Sequence, residues 1–219
     1  MSERRDLYPG YDVLSKRNSP SWNEQTRQVI DERLAIEPET HRFFTDGEWP
    51  ILKALAERML PQPDARPMRI PVAALVDDKM HKNSGDGYRP ASLPTMRDAW
   101  RRGLAALDDE AWTLHGRPFT ELDGAAQDGL IRAMQEGELT GAAWQGMPSK
   151  DFFSHRVMPD LVKSYYAHPT AWSEIGFGGP ASPRGYVRMD YNRRDGWEAA
   201  EAKPGREDEA YRENKRVGR

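Results

Sequence analysis

Met96-Arg-Asp-Ala-Trp100-Arg-Arg-Gly-Leu104-Ala-Ala-Leu107 carries the fold of this chain in its spacing. Met96, Trp100, Leu104 and Leu107 step by four, four and three, which sets all four on one face of a helix. The same period recurs on both sides. Toward the N-terminus, Ser21-Trp-Asn-Glu24 matches a capping box ahead of Val29, Ile30 and Leu34, and predicts a helix over about 22–36. Thr45-Asp-Gly-Glu48 is a second box, with Phe43 or Phe44 placed as its hydrophobic staple. The helix that follows carries Trp49, Leu52, Leu55, Ala56 and Met59 on one side and ends at Pro61-Gln-Pro63. Pro71 suits the first position of a third helix, with Val72, Leu75, Val76 and Met80 as its apolar face.

Toward the C-terminus, Asp123 caps a helix containing Ala126, Leu130, Ile131 and Met134, with Gly137 near its end. A long helix follows over about 149–167, burying Phe152, Phe153, Val157, Leu161, Val162 and Tyr165. Pro159 lies inside it and predicts a kink. Asn83 to Pro90 and Gly141 to Pro148 read as irregular. The short candidates for strands, Met68 to Ile70 and Gly185 to Met189, lack sustained alternation. The expected fold is all-α: an irregular bundle of about six helices with long Gly/Pro-rich loops and extended terminal arms. The expected divisions are an arm over 1–20, a helical domain over 21–190 and a charged tail over 191–219. The dense mixed charge from residue 198 onward reads as solvated or laid over a partner.

Composition narrows the function. A net charge of -3 gives no basic footprint for nucleic acid. The absence of cysteine excludes disulfides, thiolate metal sites and a Cys nucleophile. No apolar run approaches the roughly 20 residues that span a bilayer, so no membrane span is expected. Arg4-Arg5 is followed by Asp6, Pro9, Gly10 and Asp12 rather than an apolar run, so it does not read as an export signal.

Candidate chemistry is sparse. His41, His81, His115, His155 and His168 form none of the spacings that hold a metal, although His155 and Met158 share a helix. Asp77-Asp78 and Asp108-Asp-Glu110 sit near helix ends and are expected to face water. Gly176-Phe-Gly-Gly179 lacks the Lys-Ser/Thr of a phosphate-binding loop and the strand of a dinucleotide turn. These residues supply no catalytic, cofactor or metal site. The stretch from Tyr165 to Tyr186 stands out instead, with four Gly, three Pro and five aromatic residues. Long ordered loops of this kind are usually functional, and rigid aromatics suit a protein interface. Tyr165, Tyr166, His168, Trp172, Phe177, Gly178, Gly179, Arg184 and Tyr186 are the expected interface, the glycines allowing close approach of a partner. The competing reading places Tyr165 in the core of its own helix and makes Gly178 to Pro183 a simple turn.

Several of these segments together resemble the gluconate 2-dehydrogenase subunit 3 family. They are Phe43 to Pro61, Tyr88-Arg89, Trp100-Arg-Arg-Gly-Leu104, Phe119 and Gln127-Asp-Gly-Leu130. Phe152-Phe153, Tyr165-Tyr-Ala-His-Pro169, Ile175 to Pro180 and Arg184-Gly-Tyr186 complete the pattern, which spans about residues 40–190. The resemblance implies a small, non-catalytic subunit that stabilises, folds or escorts a glucose-methanol-choline type flavoprotein. The flavoprotein would hold the FAD and oxidise a sugar or alcohol, and this chain would bind no cofactor. A cytochrome or other electron acceptor is a further implied partner. Many members carry a twin-arginine signal that this sequence lacks. The expected location is therefore cytoplasmic, or periplasmic if the partner carries the signal. Two alternatives stand beside this reading: a free-standing helical enzyme with a metal site at His155 or His168, and a transient assembly factor.

Overall fold

Among the described residues every regular element is helical. They are α1 Glu24–Leu34, α2 Glu48–Met59, α3 Val72–Lys82, α4 Met96–His115, α5 Gly124–Glu136, α6 Ser149–Phe152, α7 Met158–Ala167, α8 Pro169–Glu174 and α9 Glu207–Asn214. A π turn, Phe153–Val157, runs without a break from α6 into α7. Taken as one helix, that stretch gives eight helices, two more than expected, and the all-α class holds. The computed structural model describes residues 6–63, 68–183, 185–188, 190, 191 and 193–217, so Arg4, Arg5, Arg184 and Met189 lie outside the described residues. No strand forms among those described; an isolated parallel bridge joins Trp22 and Ser182.

The chain divides into a central unit, Ile36–Tyr165, and a terminal unit that joins the residues up to Ala35 to those from Tyr166 onward. These boundaries do not coincide with the expected divisions at 20/21 and 190/191.

In the central unit, α4 is the longest helix, capped by Thr95, whose hydroxyl accepts from Asp98 N at 3.3 Å. The stripe that starts at Met96 does bury Trp100, Leu104 and Leu107. Trp100 packs edge-on against Phe44 (6.1 Å) and Phe152 (5.5 Å), and Phe152 leans on Trp144 at 6.0 Å. Gly103 makes this possible: a Cβ there would fall inside the Phe152 ring. The box before α2 is reciprocal, with Thr45 N donating to Glu48 Oε2 (2.8 Å) and Glu48 N to Thr45 Oγ1 (3.3 Å). Pro71 stands one position ahead of α3 as its cap residue rather than inside it.

Asp123 caps α5 as expected, accepting from Ala126 N at 2.8 Å. Asp123→Ala is expected to lower stability by about 1 kcal/mol, the usual worth of such a cap, in urea unfolding followed by circular dichroism. The expected helix over 149–167 is present, and the π turn is its answer to Pro159. Proline lacks the N–H and its ring crowds the carbonyl four residues back, so the preceding turn widens.

The terminal unit is where expectation and structure part. The cap of α1 is Asn23, accepting from Thr26 N at 2.9 Å, and not Ser21, because Trp22 is still extended and bridged to Ser182. Tyr11, Val13, Trp22, Ile30, Trp172 and Val217 form one hydrophobic cluster. The ends are therefore folded together rather than free arms. Asn214 fastens the C-terminal segment, its side chain bonding Ala200 N (2.6 Å), Ala200 O (2.9 Å) and Pro9 O (3.1 Å). Helix α9 opens with Glu207, Asp208 and Glu209, which favour a helix N-terminus through the dipole. The Tyr11 phenol, buried beside Asp12, has its pKa pushed up to about 12 chiefly by burial.

Candidate functional site

The segment from Tyr165 to Tyr186 is partly helical. Pro169 opens α8 at the position where a missing N–H does no harm, and His168 caps it by accepting from Thr170 N at 3.3 Å. The structure then separates the expected interface residues into two groups. Tyr165 is buried, which agrees with its competing assignment as the core of its own helix. His168 and Trp172 are buried too. Trp172 is 4% exposed, its Nε1 donates to Tyr166 O at 2.6 Å, and the Arg33 guanidinium lies 5.8 Å over its ring.

The glycines serve close approach within the chain. Gly179 holds φ 67, and a Cβ there would stand 3.0 Å from Trp22 and 3.2 Å from Trp172. Gly178 O accepts from the buried Lys16 Nζ at 2.8 Å. Trp172 and Gly179 are thus buried within the terminal unit, and Gly178 is half-buried beside them.

The second group is exposed. Phe177 sits edge-on to Trp172 (5.8 Å) and stacks on Tyr186 (6.3 Å, 21° between planes). Tyr186 is 68% exposed, and Tyr166 is also exposed. Sequence reasoning missed Ile175, Val187 and Tyr191, exposed apolar side chains along the same segment, Tyr191 at 94%. Phe177 and Tyr186 line a cavity of about 540 Å³ together with Tyr8 and Trp197. On its wall Arg188 pairs with Glu198 at 3.0 Å.

The remaining candidates have structural partners. Asp77 and Glu110 are buried, not water-facing as expected. Asp77 accepts from the backbone N–H groups of Arg42 (2.7 Å), Phe43 (2.9 Å) and Phe44 (2.9 Å), folding the chain ahead of α2. Glu110 accepts from Gly141 N (2.8 Å) and Trp144 Nε1 (3.0 Å). His155 is exposed, and His41 stacks on Trp49 at 4.8 Å. Among the described residues, no three His, Asp or Glu side chains converge in a way that holds a metal ion.

The strongest electrostatic feature lies in the central unit and was not foreseen. Asp160, fully buried, accepts from Lys79 Nζ (2.7 Å) and Trp100 Nε1 (2.8 Å), with Arg156 Nη1 at 3.7 Å. Asp86 meets Lys79 (3.0 Å), Lys163 (3.1 Å) and Arg156 (3.3 Å). Partial burial would raise the Asp86 carboxyl, but hydrogen bonds from Lys79 and Lys163 hold it below the usual carboxylate range. A carboxyl depressed on folding contributes stability above its unfolded pKa, and that contribution fades as pH falls through the folded value. The stability that Asp86 contributes is therefore expected to be full at neutral pH and to decline in acid, which urea unfolding at decreasing pH checks.

Against known proteins, no curated protein and no solved structure matches the chain significantly. A family profile does match: gluconate 2-dehydrogenase subunit 3, over residues 46–179. The match takes in the Thr45–Glu48 box from its second residue, the α4 stripe, the π-turned helix and the glycine loop, and with more than half of its length matched the chain belongs to the gluconate 2-dehydrogenase subunit 3 family.

Proposed function

We propose that this chain is a non-catalytic small subunit that binds and stabilises the FAD-carrying large subunit of a sugar or alcohol dehydrogenase, a glucose-methanol-choline type flavoprotein. Membership of a family named for a dehydrogenase subunit supports an accessory role. The observation that carries the reading is the concentration of exposed apolar residues in one segment. Of the fourteen large hydrophobics exposed among the described residues, six fall between positions 166 and 191: Tyr166, Ile175, Phe177, Tyr186, Val187 and Tyr191. A run of this kind costs solubility unless a partner covers it. The buried carboxylates support the same reading, since each is engaged in holding backbone or core in place. In this reading the flavin and the electron acceptor, a cytochrome or another, belong to the partners.

Co-expression with the flavoprotein tests the proposal. The flavoprotein produced with this chain is expected to be soluble and active, and to lose yield and flavin content without it. Equal solubility and activity in its absence would remove the accessory role. Phe177→Ala combined with Tyr186→Ala is expected to weaken the complex by roughly 10- to 1,000-fold, as loss of exposed aromatic anchors does. The folded spectrum of this chain should not change.

A further inference from the structure

In the terminal unit the N-terminal segment is fastened at two sets of points. The first set joins it to the docking segment: Val13 N donates to Ser173 Oγ (3.1 Å), Lys16 Nζ to Gly178 O (2.8 Å) and Asn23 N to Ser182 O (2.9 Å). The Tyr8 ring lies so close to Gly176, the neighbour of Phe177, that a Cβ there would fall 2.5 Å from it. The second set joins it to residues 198–217. Ala202 N donates to Leu7 O (2.8 Å), Asn214 Nδ2 to Pro9 O (3.1 Å) and Ser15 Oγ to Val217 O (2.8 Å). Tyr211 packs on Gly10 as Tyr8 packs on Gly176, and a Cβ at Gly10 would fall 2.7 Å from its ring.

We infer that residues 198–217 act as a strap. Seated, the strap fixes the N-terminal segment and through it the docking residues; released, it lets the docking segment lose its order, which switches docking off. The docking role is taken from the accessory-subunit reading, whereas the coupling between strap and docking segment belongs to this chain alone.

The strap is the element poised to open. Its buried apolar side chains are Val217 and three alanines, Ala200, Ala202 and Ala210. Helix α9 has eight residues, too few to persist unaided in water. The pairs Arg188–Glu198 (3.0 Å) and Arg206–Glu209 (2.6 Å) are exposed and contribute little. An element with so few buried apolar contacts opens before the rest of a fold.

Its release reaches the docking segment by two routes. Val217 belongs to the cluster of Tyr11, Val13, Trp22 and Trp172, so its departure leaves a gap beside the indole on which Phe177 packs at 5.8 Å. The loss of Asn214 and Tyr211 also frees the turn at Pro9 and Gly10, and with it the Tyr8 ring that lies on Gly176. Gly176 holds φ 66, a conformation that glycine keeps only while its neighbours fix it, because its freedom when released is the largest of any residue.

Hydrogen exchange of the full-length chain, followed residue by residue by NMR, tests the coupling without a partner. The reporters are the amides of Ile175 and Phe177, which donate to Ala171 O (3.3 Å) and Trp172 O (2.9 Å). Asn214→Ala removes the bonds to Pro9 and Ala200. It is expected to speed exchange at both reporters by about tenfold or more, the worth of buried hydrogen bonds, while the amides of α4 stay unchanged. Tyr211→Ala, at a position 42% exposed, should give the same pattern at smaller size and decides the matter if Asn214→Ala does not fold. Reporters that neither variant changes, or a rise shared equally with α4, overturn the strap. Binding of Asn214→Ala to the co-expressed flavoprotein should weaken in step with the exchange. Faster exchange with unchanged binding would uphold the coupling and instead remove Phe177 and Tyr186 from the docking surface.

Discussion

Asp160→Ala is expected to cost the central unit about 3–5 kcal/mol of folding stability, the usual result of removing one partner from a buried ion pair. The carboxylate is fully buried and accepts from Lys79 and Trp100. Without it, the Trp100 Nε1 donor is left unpaired in the core, and Lys79 and Arg156 keep their charge with one carboxylate fewer to answer it. Asp160→Asn retains an acceptor for Trp100 and should cost less. Lys163→Ala, at an exposed member of the same cluster, should shift stability by no more than about 1 kcal/mol. Urea unfolding at neutral pH ranks the three. Equal losses for Asp160→Ala and Lys163→Ala would mean that the cluster is a surface ion network, not a buried lock.

The second large effect concerns Trp172. Truncation to alanine is expected to destabilise the terminal unit by about 3–5 kcal/mol, because the indole fills the cluster of Tyr11, Val13, Trp22, Ile30 and Val217. Its Nε1 also loses the bond to Tyr166 O. Phe177→Ala removes a half-exposed ring whose packing on Trp172 and Tyr186 is worth about 1 kcal/mol. Intrinsic tryptophan fluorescence combined with thermal unfolding separates the two variants. A Trp172→Ala protein as stable as the wild type, but unable to hold the flavoprotein, would return Trp172 to the docking surface.

The contrast between those two aromatics shows how far the sequence could be read. Both lie in the same Gly/Pro-rich stretch and both read as rigid anchors. Sequence spacing does not report what comes back from 150 residues away, and here Tyr11, Val13 and Trp22 return to cover Trp172. The buried carboxylates were misjudged for a related reason. Asp77 and Glu110 look solvated because charge usually is, but a distant segment supplies three backbone N–H groups to Asp77, and Gly141 N with the Trp144 indole to Glu110. The C-terminal helix was hard to read because its fastening is shared between polar Asn214 and small apolar Ala210, neither of which makes an apolar stripe. The exposed aromatics Phe177 and Tyr186 were legible as candidates, and the structure supplied their neighbours Ile175, Val187 and Tyr191.

Local sequence was enough for the helices of the central unit, the reciprocal box at Thr45 and Glu48, the cap at Asp123 and the interruption at Pro159. These rest on contacts within one or two turns, where spacing and backbone chemistry are sufficient. Tertiary packing settled which aromatics are core and which are surface, that the segments at the two ends share one cluster, and that Asp160 is buried against Lys79 and Trp100. Those outcomes depend on burial and charge pairing between residues far apart in sequence, and no local pattern encodes them.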